Sequence, residues 1–499
     1  MEIKFETTTL PCLRKAACQV QNQEQTQEVR LSEAMPDIGR VLGSWGQVLI
    51  RGKQWHSNGM SVNGGVQAWV LYAPEDGSQI RSVETWIPFQ MKWDFPETQR
   101  DGSICVMPLL KGMDARSTSA RKLMVRANIS VLGEALEPIE PEICCPGEIP
   151  PDVQLLKNSY PVQLPLEAGE KIIQMEEELD FPSNLPPMDK ILHYTLTPMV
   201  TEQKVMAGRL VFRGNALLSV CYSSADGGIH TWEQELPFSQ FTELDKDHSA
   251  NASAWITVIL TALELEKAQD EKMSLKATMA AQYVVYDRTM LDTVQDAYSP
   301  QRKVNVQMQE LGLPILLDTC KQTLHISHSL PLEGEQVIAA NWICEHPRCM
   351  QNEATAEITL PGQFQILYLD KNGNLQNATA KAEEKWEISS DSGNWVSPYV
   401  REMTDVQANF SGDALELRAD ATVEAAVFSR QGIPMVKELD LGEIQQPDSN
   451  RASLILRRAD KESLWEIAKD CGSTVEEIKK ANQILEQPEI GQMLLIPVI

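Results

Sequence analysis

One pattern recurs three times in this chain, and it restricts the possible fold more than any other feature of the sequence. Each copy is a run of alternating apolar residues that reaches a tyrosine and ends, five residues later, at a glycine preceded by Asp or Asn. The copies occupy residues 66–77, 216–227 and 364–373. A period of two predicts a half-buried strand, and Asp-Gly or Asn-Gly tolerates the positive φ of tight hairpin turns. Each copy therefore predicts a strand that enters a hairpin.

A second alternating run follows each hairpin at a nearly constant distance and includes Ala127, Ala277 or Ala419. From the tyrosine to this alanine the chain advances 127 − 72 = 55, 277 − 222 = 55 and 419 − 368 = 51 residues. The copies repeat at intervals of 222 − 72 = 150 and 368 − 222 = 146 residues. Two landmarks in register predict a triplicated, mainly β domain. The alternative is one large β protein with coincidental alternation.

Three polar or proline-containing segments divide the copies, and we interpret them as linkers: residues 140–151, 296–303 and 445–451. A repeat of this length is a whole domain rather than a solenoid unit. We therefore expect beads on a string, with or without packing between them. The predicted domains are residues 1–149, 150–301, 302–446 and, after a change of pattern, 452–499.

The last segment predicts a strand, two helices and a closing strand. Ser463 and Glu466 form a capping box that begins the first helix, and Gly472 is a suitable left-handed end. Thr474 and Glu477 predict a second capping box. A short βααβ domain is the expected result.

This segment closely resembles the LysM domain. The resemblance is carried by residues 463–469, Gly472, residues 474–480, Asn482, residues 491–492 and residues 496–497. It implies binding of N-acetylglucosamine glycans, such as peptidoglycan, in a groove between two loops, although a LysM fold also serves as a protein-docking surface. The family's Gly-Asp-Thr before the first helix is Lys461-Glu462-Ser463 here. The implied groove residues are Asp460, Lys461, Glu462, Ser463, Asn482, Gln483, Ile484 and Ile490. Trp465 is added to this set, and packing and a partner interface are equally good interpretations of it.

The three repeats resemble the SPOCS domain of spore-coat assembly proteins in their tyrosine hairpin and the later alternating strand. Together with one LysM domain, they resemble the SipL type of morphogenetic protein. That resemblance implies a non-enzymatic adaptor of endospore coat assembly, made in the mother-cell cytoplasm and located at the forespore surface. Its implied partner is the ATPase of the coat's basement layer. A module that binds cell-wall or cortex peptidoglycan is the second hypothesis.

Composition argues against several other classes of protein. The chain has 44 basic and 70 acidic residues, a net charge of −26, which disfavours nucleic acid as a partner. We recognise no signal peptide, and the longest apolar stretch, residues 255–263, is too short to cross a bilayer. The ten cysteines show no disulfide framework and are expected to be reduced.

No motif for catalysis or for a cofactor survives inspection. Residues 46–54 have one residue too many between the glycines for a phosphate loop, and Gln54 stands where Ser or Thr would bind magnesium. One group has the residue types that zinc prefers, but its cysteines lack two-residue spacing, and the first two repeats have no equivalent set. We expect no metal at this group, which comprises His325, His328, Cys344, His346 and Cys349.

Overall fold

The structure is a computed structural model that describes residues 2–98, 100–145, 147–268, 272–403, 406–445 and 452–499. Antiparallel strands form most of the chain up to Leu441. In the described residues, helices occur only after that point, between Leu464 and Asn482. The prediction of a mainly β fold is therefore confirmed.

The first group of strands forms two three-stranded sheets, with the orders β3–β8–β7 and β4–β5–β6. We call β2 to β9 unit 1. The strands are β1 (Glu2–Lys4), β2 (Glu6–Thr9), β3 (Cys12–Arg30), β4 (Ile38–His56), β5 (Gly59–Pro74), β6 (Arg81–Asp94), β7 (Ser103–Ser119), β8 (Lys122–Ile139) and β9 (Glu142–Cys145).

Unit 2 repeats this arrangement, with the sheet orders β10–β15–β14 and β11–β12–β13. Its long first and last strands, β10 and β15, pair along nearly their whole length. The strands are β10 (Gln154–Asp180), β11 (Met188–Met206), β12 (Arg209–Ser224), β13 (Ile229–Glu243), β14 (Ser253–Lys267) and β15 (Lys272–Tyr298).

Unit 3 has the same plan with two interruptions. In one sheet β24 pairs with β17, β22 and β23, and in the other β20 pairs with β18, β19 and β21. The strands are β16 (Val304–Leu311), β17 (Leu316–Leu330), β18 (Gln336–Cys344), β19 (Arg348–Gln351), β20 (Thr355–Leu369), β21 (Leu375–Ser389), β22 (Asn394–Met403), β23 (Gln407–Ser411), β24 (Ala414–Ser429) and β25 (Ile433–Leu441).

The C-terminal module, residues 452–499, has the predicted strand–helix–helix–strand order. Its elements are β26 (Leu454–Arg458), α1 (Leu464–Cys471), α2 (Val475–Asn482) and β27 (Met493–Pro497). Among the described residues, neither helix has the length and apolar character that crossing a bilayer requires.

The hairpin signals of the sequence lie at real turns. Gly77, Gly227 and Gly373 have φ values of 71°, 89° and 73°, a conformation that glycine adopts without strain. The preceding tyrosines of units 1 and 2 make equivalent bonds: Tyr72 donates to the carbonyl of Pro36, and Tyr222 to that of Pro186, both at 3.0 Å.

The units converge on a shared apolar cluster through three equivalent β-bulges. The register shifts at Leu42 in β4, at Leu192 in β11 and at Ile338 in β18. These positions are 192 − 42 = 150 and 338 − 192 = 146 residues apart, which are the intervals of the repeat. A bulge redirects one side chain out of the regular alternation. The bulged residues pack together with the residue before each landmark tyrosine: Leu71, Cys221 and Leu367.

A second cluster joins the strands that begin and end the units. It combines residues from all three, including Ile143, Val162, Leu291, Met435 and Leu439. The backbone of β1 pairs with β25, so a strand that precedes unit 1 belongs to a sheet of unit 3. The three units therefore form a closed body instead of separate beads. The predicted domain boundaries stay a prediction.

A buried polar network links units 1 and 3. The Lys15 ammonium donates to Glu134 at 2.6 Å and to the hydroxyl of Tyr399 at 2.9 Å. It also lies 5.1 Å from the ring centroid of Trp395 and 5.2 Å from that of Phe428. Burial lowers the pKa of Lys15, but the Glu134 carboxylate and the other titratable side chains beside it together outweigh burial and hold that pKa well above its ordinary value.

Candidate functional site

The C-terminal module carries the predicted binding residues, and a small apolar core holds it together. Leu464, Ile467 and Ala468 of α1 and Ile478 of α2 pack against Leu494 and Ile496 of β27, and all six are buried. The two strands cover one side of the helices, because alternate residues of β27 face inward. The module thus presents two loops and the outer face of a two-stranded sheet.

The predicted capping box is present at α1, whereas at α2 the bonds of the described residues include only its Thr474 half. The hydroxyl of Ser463 accepts from the Glu466 amide at 3.2 Å, and the Glu466 carboxylate accepts from the Ser463 amide at 2.7 Å. The bonds that the Ser463 amide, and then the Ser463 hydroxyl, donate to the Glu466 carboxylate hold the pKa of Glu466 below its ordinary value. At α2 the Thr474 hydroxyl accepts from the Glu477 amide at 3.2 Å. Gly472 ends α1 with a left-handed φ of 67°.

The first predicted groove loop precedes α1, and its side chains differ in role. Asp460 and Lys461 are exposed. Glu462 forms an ion pair with Arg457 of β26 at 2.6 Å, which ties this loop to the strand before it. The Leu464 amide donates to the side-chain carbonyl of Gln487 at 2.9 Å, so the second groove loop is bonded to the start of α1, directly after the first loop.

The second predicted groove loop begins at Asn482, whose side chain is used for structure. Its amide group donates to the Leu495 carbonyl at 2.6 Å, and its carbonyl accepts from the Leu495 amide at 2.7 Å. Gln483 ends α2 in the left-handed region with φ of 54°. Ile484 packs against the module core. Of the predicted residues in this loop, Ile490 is strongly exposed, at 73%.

Trp465 lies against unit 2 instead of pointing into solvent. Its indole nitrogen donates to the Asp296 carboxylate at 2.8 Å, and Lys469 forms an ion pair with the same carboxylate at 2.7 Å. The ring of Tyr298 meets that of Trp465 edge-on, with centroids 4.7 Å apart. We call Asp296 and Tyr298, at the end of β15, the seat of the module.

Tyr298 is as much a core residue of the module as of unit 2. It is 5% exposed, and its hydroxyl donates to the Ser473 carbonyl at 3.0 Å. Burial and then the negative charge of Asp296 raise the pKa of Tyr298 to about 12, so the hydroxyl stays a donor at neutral pH. The seat fixes the module on unit 2, although the module follows unit 3 in the chain.

The histidine and cysteine group of unit 3 is dispersed. Exposed His325 pairs with Asp420 at 2.8 Å, and buried His346 accepts from the Leu132 amide of unit 1 at 3.2 Å. His328 lies on β17, Cys344 ends β18 and Cys349 lies on β19. Within the ranges that the structure describes, no three His, Cys, Asp or Glu residues converge in a geometry that could hold a metal ion.

Several residues of the site were missed by the sequence analysis. The seat residues lie inside residues 296–303, a segment interpreted as a linker because it is polar and contains a proline. Gln487 and Leu485 lie within the second groove loop but were not singled out, and Leu485 is the most exposed large apolar residue of the described chain, at 89%. The outward leucines of β26 could have been recognised from strand alternation alone.

Comparisons with known protein families match two parts of the chain. Residues 187–264, which lie in unit 2, match the family model described as SipL, SPOCS domain. Residues 460–497 match the LysM domain. No curated protein and no solved structure matches the chain at the threshold applied. Both family matches agree with the resemblance inferred from the sequence, so the chain contains a SipL-type SPOCS domain and a C-terminal LysM domain.

Proposed function

We propose that this protein is a non-enzymatic adaptor of endospore coat assembly. Its LysM module binds the ATPase of the coat's basement layer. The body of the protein lies in the mother-cell cytoplasm and keeps that ATPase at the forespore surface. The domain pair supports a sporulation role, since the SPOCS domain is of the SipL type. The capture step is the part that the module's surface supports best.

The observation that carries the proposal is the concentration of exposed apolar side chains on the module. Seven of the 16 exposed large apolar residues of the described chain lie between residues 452 and 499, a tenth of the sequence. Clustered exposed apolar surface marks an interaction site on a soluble protein. The members are Leu454, Leu456, Leu485, Ile490, Met493, Leu495 and Ile499.

The body supports the adaptor role by its construction. The shared clusters and the Lys15 network make the three units one platform. The seat then attaches the module to that platform through buried Tyr298 and through the Asp296 carboxylate, which accepts from both Trp465 and Lys469. With this attachment, a partner bound to the module has a fixed position relative to the body. A partner bound to a loosely tethered module would not.

The decisive experiment is a pull-down of the purified basement-layer ATPase. The full chain is expected to capture it, and the chain lacking residues 452–499 is expected to lose capture. Because that deletion uncovers Tyr298, circular dichroism of the truncated protein must first show the strand content of the body. Undiminished capture by a folded truncation would contradict the adaptor proposal.

Peptidoglycan binding is the second candidate function, and the LysM match favours it. Leu485 and Ile490 offer flat apolar contacts beside the groove loops, the type of surface on which sugar rings pack. Titration of chitooligosaccharides into the full chain tests this function. Replacement of Ile490 by Asp should abolish a genuine response, whereas the matched change of Ile444, exposed outside the module, should not.

A further inference from the structure

The outer edge of β26 is an unpaired strand edge on the surface of the module. β26 pairs with β27 along one side, from Leu454 opposite Pro497 to Arg458 opposite Met493. On its other side, no strand of the described residues pairs with it. A free edge presents backbone donors and acceptors to any chain that can extend beside it.

The hydrogen bonds of β27 identify which backbone groups face that edge. The amide and carbonyl of Leu495 bond to the Asn482 side chain, so they point away from β26. Leu456, directly opposite, is therefore in a non-hydrogen-bonded pair, and its own amide and carbonyl point away from β27. In an antiparallel pair, hydrogen-bonded and non-hydrogen-bonded residues alternate. In agreement, the Ser453 carbonyl accepts from the Val498 amide and the Ala459 amide donates to the Gln492 carbonyl, both on the β27 side. Leu454, Leu456 and Arg458 thus direct their backbone groups to the free edge.

The outer edge of β27 is covered by a side chain, whereas the outer edge of β26 is not covered by the described residues. The Asn482 side chain occupies the outer edge of β27 at Leu495, as a neighbouring strand would. Among the described residues, no hydrogen bond covers the amides and carbonyls of Leu454, Leu456 and Arg458. Proteins usually protect free edges with charges, proline or a covering element. Here the edge instead has two exposed leucines, Leu454 at 52% and Leu456 at 64%.

We propose that a protein partner adds an extended segment to β26 as a third strand of the module's sheet. This inference rests on the proposed adaptor function and states how capture occurs. The added strand gains backbone hydrogen bonds from the edge, and alternate side chains pack beside Leu454 and Leu456. The exposed Arg458, for which no ion pair is found among the described residues, selects an acidic residue at that end of the segment. The segment is therefore apolar on one face and acidic at the end next to Arg458.

A second copy of this chain fits the edge less well. Antiparallel self-pairing centred on Leu456 would place Arg458 opposite Leu454 of the other copy, an apolar residue. Two chains of net charge −26 would also repel each other. The predicted glycan groove residues lie at 460–463 and 482–490, outside β26.

The test uses two variants at Leu456 in the full chain and the purified basement-layer ATPase as the probe. Leu456→Ala removes the side chain and keeps the edge amide. Leu456→Pro also removes the amide, which makes no bond to β27, so the existing ladder is retained. We expect Leu456→Pro to bind about tenfold more weakly than Leu456→Ala, the effect of losing one backbone hydrogen bond and straight edge geometry. Equal affinities would overturn the inference.

Hydrogen exchange supplies the second measurement. In the complex the amides of Leu454, Leu456 and Arg458 should gain protection, and unchanged exchange there would overturn strand addition. If these amides are protected in the chain alone and light scattering gives a dimeric mass, the added strand comes from a second copy of the chain. That result would overturn the proposal of a different protein partner. Capture that survives deletion of residues 452–499 defeats the adaptor function itself, whereas capture lost on deletion but normal in Leu456→Pro defeats strand addition alone.

Discussion

The body and the C-terminal module are attached in contrasting ways. Within the body, each junction contains side chains from more than one unit, and two of the apolar clusters draw on all three. The module meets the body mainly through Asp296 and Tyr298. The difference indicates that the units fold as one cooperative structure, whereas the module has its own core and a small, specific seat. Four substitutions test this contrast.

The largest effect is expected at the junction of units 1 and 3. Lys15→Ala would leave the buried Glu134 carboxylate without its cation and should reduce the free energy of unfolding by about 3–5 kcal/mol. Urea unfolding followed by circular dichroism measures this loss. Arg100→Ala is the control: Arg100 pairs with Glu140 of unit 1 at 2.6 Å, and both side chains are exposed, so a change under about 1 kcal/mol is expected. Equal losses would show that the junction is not a shared core.

The next effect is a dependence of body stability on pH. Burial between units 1 and 3 lowers the pKa of His346 from its ordinary 6.5 to about 4. The unfolded chain therefore binds a proton more readily, and stability present above pH 6.5 is lost as the pH falls toward 4. His346→Gln keeps an acceptor for the Leu132 amide. When the pH is lowered from 7 to 5, the free energy of unfolding of this variant should fall by about 2 kcal/mol less than that of the native chain.

Urea titrations at both pH values measure this difference. The exposed His325→Gln is the control and should retain the native dependence. If His346→Gln destabilises in parallel with the native chain, the histidine is not held neutral at the junction.

A smaller effect is expected at the seat. Tyr298→Phe removes the bond to the Ser473 carbonyl and should weaken protection of α1 by about 1 kcal/mol, with no change in the strands of units 1 and 3. Hydrogen exchange by mass spectrometry resolves the two regions. Asp292→Ala, on the same strand, makes no contact with the module in the described structure and should leave α1 unchanged. Loss of protection throughout the body would contradict the separation of module and platform.

The smallest effect compares the units with one another. Gln23 faces Ile129 at the position where units 2 and 3 have Ile173 and Leu324, and its side-chain carbonyl is buried without a hydrogen bond. Gln23→Leu should stabilise the body by about 1 kcal/mol, because an unsatisfied buried acceptor is removed. Thermal unfolding measures the gain. Glu24→Leu, exposed on the same strand, should give no such gain.

The local features of the fold could be predicted from the sequence, and the junctions could not. The strand before Tyr72, its turn at Gly77 and the cap at Ser463 depend on neighbours a few residues away, where spacing carries the information. Lys15 and Glu134 are far apart in the chain, and neither shows a local sign of burial. The seat was missed for the same reason: Asp296 and Tyr298 stand in a polar segment whose partners lie about 170 residues later.

The pairing of β1 with β25 also has a consequence for biosynthesis. The backbone of Glu2–Lys4 leaves the ribosome before the other described strands of the body, yet its partners, Glu438–Asp440, are made last among those strands. Units 1 and 2 can acquire their own sheets during translation, but Glu2–Lys4 must wait for these partner residues until more than 400 further residues have been added. Completion of the body is therefore a late event, and an interrupted nascent chain retains an incomplete junction at its leading end.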